Sequence, residues 1–138
     1  MFQTSTLHIN KQSLINNLEF IKKLVGYKVR ISSVIKGNAY GHGIEVFVPL
    51  AEACGINHFS VFNADEALRA HNSIEKNSGI MIMGMIDFHE LDWAIRNDVE
   101  FYVFEFDRLF SAIEVANQLG KKARIHLQME TGMNRTGF

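Results

Sequence analysis

The sequence predicts an α/β fold on a parallel sheet, the N-terminal portion of a (β/α)₈ barrel that this chain leaves incomplete. Three observations carry that prediction. Strand-like runs begin near Arg30, His58, Ile80, Phe101 and Arg124, at intervals of 21 to 28 residues with helix-like segments between them, which is the rhythm of a βα unit. The runs Ile80–Met83 and Phe101–Phe104 are apolar without alternation, as strands buried on both faces are. No G-x-G-x-x-G fingerprint accompanies the first βα turn, which favours a barrel over a doubly wound sheet of the same spacing.

Each element has its own local signals. Thr4–Ile9 reads as a short opening strand. Asn10 then caps a helix whose Leu14, Leu18, Ile21 and Val25 share one face, and Gly26 ends it. Cys54-Gly55 closes the second helix. Asn63 with Glu66, and Asp87 with Glu90, have the spacing of capping pairs. Asp107 opens the last helix, with Leu109, Ile113, Ala116 and Leu119 as its apolar face and Gly120 as its stop. A complete barrel takes about 250 residues. The chain has 138 and stops just past its fifth barrel strand, so it is expected to be a fragment, with residues 1–10 as the opening strand and residues 11–138 as the N-terminal part of the barrel domain.

Composition narrows the function classes. Fourteen Lys+Arg against 15 Asp+Glu leave a formal charge of −1, which argues against electrostatic nucleic-acid binding. The longest apolar stretch, Gly79–Ile86, falls far short of the ~20 residues of a membrane helix, and Met1–Thr6 lacks the features of a signal peptide. A cytoplasmic protein with no membrane partner is the expectation. Cys54 is the only cysteine, which excludes an intramolecular disulfide. His8, His58, His71 and His89 have no ligand spacing on one element, so no metal site is expected. Met81, Met83 and Met85 read as core packing, Trp93 as an anchor beside Leu91 and Ile95, and Lys121-Lys122 as solvated charge at a helix end.

Functional groups of a parallel β/α fold collect at the carboxyl ends of its strands. Two segments stand there. In Val34–Gly43, the two-residue period puts Lys36 on one face with Ser32 and Val34, opposite Ile31, Ser33 and Ile35. If the isoleucines face the helices, Lys36 points into the barrel mouth, and the glycines beyond it permit a tight turn around a bound group. An amine so placed is suited to bonding an aldehyde. A solvated loop lysine beside a glycine turn fits the same spacing. In the second segment, His126, Gln128 and Glu130 share the interior face, with Arg135 in the loop beyond. That describes a polar site at the rim, and equally a half-exposed edge strand.

Ile-Lys-Gly-Asn-Ala-Tyr-Gly-His-Gly at 35–43 resembles the pyridoxal-phosphate lysine motif of bacterial alanine racemases, and Glu-Thr-Gly-Met-Asn-Arg-Thr-Gly-Phe at 130–138 resembles that family's second signature. The resemblance covers essentially the whole chain. It implies that Lys36 carries pyridoxal phosphate through its amine and exchanges one α-proton of an amino-acid substrate. It also implies that Tyr40 hydrogen-bonds the phosphate and that Arg135 lies near the cofactor's phenolic oxygen and the substrate carboxylate. Asn38 and His42 match the motif as residues that shape the loop. Racemisation needs a second base on the opposite face of the substrate. In the family this is a tyrosine of the partner subunit's C-terminal β-domain, which packs with the opening strand, so a homodimer is implied. The activity implied is interconversion of L- and D-alanine for bacterial cell-wall synthesis, with the isolated fragment expected to be inactive.

Two positions depart from the family pattern. Gly37 replaces an alanine, and Gln128 stands where many relatives carry a carbamylated lysine. Gln128 is expected to bond Arg135 directly or to help hold an anion. Other readings of the same residues are a racemase of broader specificity, a pyridoxal-phosphate barrel without catalysis, and a phosphate-binding β/α domain needing only the glycines and Tyr40.

Overall fold

The computed structural model describes residues 5–138. Its five strands, β1 (Ser33–Val34), β2 (His58–Val61), β3 (Gly79–Ile82), β4 (Glu100–Val103) and β5 (Ile125–Leu127), form one parallel sheet in the order β1-β2-β3-β4-β5. Each strand pairs with its neighbour in the chain and the order never reverses. A doubly wound sheet requires such a reversal, so the arrangement is that of an incomplete barrel.

The register divides the sheet into two faces. Ser33, Phe59 and Ile80 lie in one row across the strands, and Val61, Ile82, Phe101 and Ile125 in the next row of the same face. That face meets the helices, and Phe59, Val61, Ile82, Phe101 and Val103 are fully buried there. Against it pack α3 (Ile44–Ala53) through Val48 and Ala51, α4 (Ala64–Ser73) through Ala67 and Ala70, and α5 (Leu91–Arg96) through Leu91, Ala94 and Ile95. Trp93 is partly buried against the same core, edge-on to His71.

Helix boundaries follow the local chemistry closely. In α1 (Lys11–Val25), Asn10 accepts from the Ser13 N–H and the Gly26 N–H returns to the Lys22 carbonyl. A one-turn 3₁₀ helix (Phe88–Glu90) opens on a reciprocal capping box between Asp87 and Glu90. Helix α6 (Phe106–Leu119) starts one residue before Asp107. Glu105 stands at its N-cap without a side-chain bond, and Asp107 lies in the first turn, where a negative charge suits the helix dipole.

Several expectations are corrected. Leu14 and Leu18 of α1 reach the core, but Ile21 and Val25 are exposed, because the apolar contact of the helix with the body is centred on those two leucines. In α6 Leu109, Ala116 and Leu119 pack against the core as expected, with Arg108 and Ala112 buried beside them, but Ile113 is exposed. Residues 5–10 form no strand, and Thr4 lies outside the described residues. A strand needs a partner for its backbone groups, and the sheet begins at β1. Lys121 is not merely solvated: it pairs with Asp98 at 2.8 Å and donates to the Arg96 carbonyl at 2.7 Å. No helix of the described residues is long and apolar enough to cross a membrane.

The other row, Val34, Ser60, Met81 and Glu100, lies on the interior face, with Tyr102 level with His126. Toward the amino ends of the strands this face is charged. Glu100, 5% exposed, lies 2.8 Å from Arg124 and 2.8 Å from the Nε2 of His126, with Arg30 and His58 each at 3.5 Å. Ser32 links the His58 Nδ1 to Ser60. Burial pushes the Glu100 carboxyl up, but the His126 hydrogen bond and the charges of His58, Arg124 and Arg30 outweigh it, so the carboxyl titrates below its ordinary 4.5. Burial, followed by the charge of Arg30, holds His58 below its ordinary 6.5.

Two outcomes follow for stability. Phe101→Ala, which empties the centre of the helix-facing layer, should cost about 3–5 kcal/mol, read as a lower urea midpoint. Both depressed groups make the folded state bind fewer protons than the unfolded chain. Stability should therefore fall as pH drops below the ordinary value of 6.5 for His58, and again below 4.5 for Glu100. Urea titrations across pH 3–8 should show both steps, and Glu100→Gln should diminish the lower one, leaving the part that other depressed carboxyls such as Glu45 and Glu130 contribute.

Candidate active site

The carboxyl end of the interior face gathers the two motif segments. Beyond β1 the chain makes a single helical turn, α2 (Lys36–Tyr40), of the opposite hand to every other helix. Gly37, Asn38, Ala39 and Tyr40 have φ of 61°, 55°, 54° and 53°. Glycine takes this conformation freely, whereas each of the other three costs about 1–2 kcal/mol. Bonds from outside the turn offset that strain. One oxygen of the Glu66 carboxylate accepts from the Gly37 N–H at 2.6 Å and the Asn38 N–H at 3.3 Å, while its other oxygen accepts from the Phe62 N–H at 3.0 Å. Asn38 Oδ1 accepts from the Ile44 N–H and from Arg69, and the His42 Nδ1 bonds the Ala39 carbonyl at 2.8 Å. Arg69 also clasps Glu45 at 2.7 and 2.9 Å, and that hydrogen bond holds the Glu45 carboxyl below its ordinary range.

Glu66 is the residue that sequence reasoning understated. Asn63 does accept from the Glu66 N–H at 2.9 Å, as the capping pair requires. The Glu66 carboxylate does not return to the cap, because the lysine turn offers it two further backbone donors. The available signal was its position: one turn past the end of β2, beside the end of β1.

A carboxylate also organises the second loop. Glu130 accepts from the Gly132 N–H and, at 3.3 Å, from the Arg135 N–H. Backbone N–H groups, those of Asn134 and Gly132 foremost, hold its carboxyl below the ordinary range. The chain then returns, with the Phe138 N–H on the Gln128 carbonyl and the Glu130 N–H on the Phe138 carbonyl. Gly137, at φ 132°, makes this closure possible, since a Cβ there would sit 2.6 Å from the Glu130 nitrogen.

Between the two loops lies a cavity of about 520 Å³, within the range of small-ligand sites. Lys36, Gln128, Arg135 and Thr136 supply its polar groups, and Phe62, Met83, Met85, Tyr102 and Phe104 its walls. Gly84 is required beneath it, because a Cβ would approach the Phe62 carbonyl oxygen to 2.4 Å. Met83 and Met85 are thus cavity residues, although strand alternation suggested core packing. Lys36 is exposed to this cavity and not enclosed. Gln128 does not bond Arg135 directly; its Nε2 donates to the Thr136 carbonyl and hydroxyl, each at 2.8 Å. Tyr40 lies outside the cavity lining, 63% exposed at the end of the turn, and Asn38 and His42 bond within the turn and its supports.

A second cavity, about 580 Å³, opens at the amino ends of the strands. Its arginines, Arg30 and Arg124, already pair with Glu100. The carboxyl-end cavity differs in setting an amine and a guanidinium around aromatic and thioether walls, a combination that suits a flat aldehyde bearing negative charge.

The family model described as alanine racemase, N-terminal domain, matches residues 9–138. The chain is 32% identical over 132 residues to alanine racemase 2 of Caldanaerobacter subterraneus subsp. tengcongensis, covering 96% of this chain and 34% of that protein. It is 34% identical over 131 residues to the alanine racemase of Francisella philomiragia, covering 95% and 35%. Among solved structures, the alanine racemase from Oenococcus oeni superposes with a TM-score of 0.84 at 30% identity, over 95% of this chain and 37% of that one. The chain therefore spans about a third of the length of these relatives, and over nearly all of its own length it belongs to the alanine racemase N-terminal domain family.

Proposed function

We propose that this chain is the cofactor-binding part of a pyridoxal-phosphate-dependent amino-acid racemase that interconverts L- and D-alanine for bacterial cell-wall synthesis. The observation that carries the reading is that Lys36 and Arg135, about a hundred residues apart in the chain, open onto one cavity at the carboxyl ends of the strands. The residues present fit the cofactor. A primary amine is available for its aldehyde, a guanidinium for its phenolic oxygen, and Phe62, Tyr102 and Phe104 offer flat apolar surface for its ring.

Pyridoxal phosphate, when bound, supplies an electron sink that makes the α-proton of an amino acid removable. The protein's residues decide where that proton goes. Lys36 would hold the cofactor through Nζ, and the same amine would take or return the α-proton on one face. Arg135 donates toward the cofactor oxygen and the substrate carboxylate, and its backbone N–H is fixed by Glu130. Gln128, tied to Thr136, braces the loop beside Arg135 without adding negative charge. Tyr40 is assigned to the phosphate from the end of the left-handed turn. The second base, for the opposite face, is assigned to the partner subunit of a homodimer.

Two measurements check this reading. Borohydride reduction of the chain incubated with pyridoxal phosphate, followed by peptide mapping, should place the label on Lys36, and Lys36→Ala should take none. Label on another lysine would end the assignment. Arg135→Ala should keep the label but weaken cofactor binding roughly 10- to 100-fold, the worth of a hydrogen bond to a charged group. An unchanged dissociation constant by absorbance titration would remove Arg135 from the site.

A further inference from the structure

We propose that Glu66 is the positioning residue for Lys36, clamping the peptide that follows the lysine and the adjoining cavity wall at Phe62 with one carboxylate. The proposal rests on the reading of Lys36 as the cofactor-holding lysine. The Gly37 N–H, bonded to Glu66 at 2.6 Å, belongs to the peptide plane directly after the Lys36 Cα. Fixing that plane fixes the backbone torsion from which the Lys36 side chain departs. The other carboxylate oxygen accepts from the N–H of Phe62, which is itself a wall of the cavity. A single rigid group, two bonds across, therefore sets the lysine and the aromatic wall relative to each other.

Nothing within the turn could do this. Three non-glycine residues sit in the left-handed region, and N–H groups at its start converge outward, where only an acceptor from another element reaches them. Helix α4 delivers that acceptor and, one turn on, Arg69, which bonds Asn38 at 2.6 Å and Glu45. The same helix is started by Asn63, whose side chain accepts from the Glu66 N–H and makes no hydrogen bond to Lys36 or to the turn. Loss of Asn63 therefore weakens the helix start while leaving the Glu66 carboxylate in place, and this separates positioning from stability.

The test compares Glu66→Ala, Glu66→Asp and Asn63→Ala in the 138-residue chain. Pyridoxal phosphate is the probe, urea midpoints monitor folding, and three readouts are followed: the rate of borohydride-stable labelling at Lys36, the pH dependence of the absorbance band, and amide hydrogen exchange. Glu66→Ala should label Lys36 at least tenfold more slowly, shift the pH of half-formation of the band, and exchange the Gly37 and Asn38 amides at least tenfold faster. Glu66→Asp, which keeps the charge but loses a methylene of reach, should recover part of the rate. Asn63→Ala should lose stability yet label at the wild-type rate with the wild-type pH profile. Labelling by Glu66→Ala at the wild-type rate and pH profile, or equal slowing by Asn63→Ala, would overturn the proposal. If the wild-type chain takes no label at Lys36, the cofactor reading fails instead. Exchange at Gly37 and Asn38 then decides whether Glu66 orders the turn, and rates equal to wild type in Glu66→Ala would overturn that too.

Discussion

A carboxylate accepting several backbone N–H groups is the interaction on which the upper end of this molecule depends. Strands of a parallel sheet end in chain that has left its ladder, and the N–H groups there must find acceptors elsewhere. Glu66 supplies them for the turn after β1, and Glu130 for the loop after β5. In each case a cavity-lining residue is held at the backbone, Lys36 through the Gly37 N–H that follows it and Arg135 through its own N–H. The side chains facing the cavity are consequently presented by loops with little freedom of their own.

The interior face of the sheet is divided between two tasks. At its amino end the buried Glu100 carboxylate pairs with the half-exposed Arg30, Arg124 and His126 and lies 3.5 Å from the buried His58. Its carboxyl end is open, apolar at the walls and basic at the rim. A barrel interior filled with aliphatic side chains would be simpler to pack. The polar lower layer, with Ser32 and Ser60 linked beneath Val34 and Lys36, instead continues the hydrogen-bonded order of the sheet below the cavity.

What could be read from the residues was what short-range physics decides. The caps at Asn10, Asn63 and Asp87 involve partners three residues away, and all three form. The parity of β1 and β5 put Lys36 and Gln128 on one face because alternation is a property of the strand itself. Long-range partners were illegible. The hand of the turn at 37–40 is sustained by a carboxylate 29 residues away, and although asparagine tolerates positive φ, nothing in Ala39 or Tyr40 favours it. Glu100 directly precedes the apolar run Phe101–Phe104, and its partners Arg30 and Arg124 come from the segments just before β1 and β5. Exposure of Ile21, Val25 and Ile113 escaped the helical periodicity, since periodicity names a face and not what meets it.

The sequential strand order also sets an order in time. Because every strand pairs with the one made just before it, each βα unit can dock as it emerges during synthesis, without waiting for a distant segment. Glu66 leaves the ribosome with the second unit, so the lysine turn acquires its acceptor early. Arg135 follows 69 residues later, roughly 3–14 s at typical translation rates. The amine side of the cavity is thus assembled before its guanidinium side exists, and the strained turn is never left long in a nascent chain without the group that sustains it.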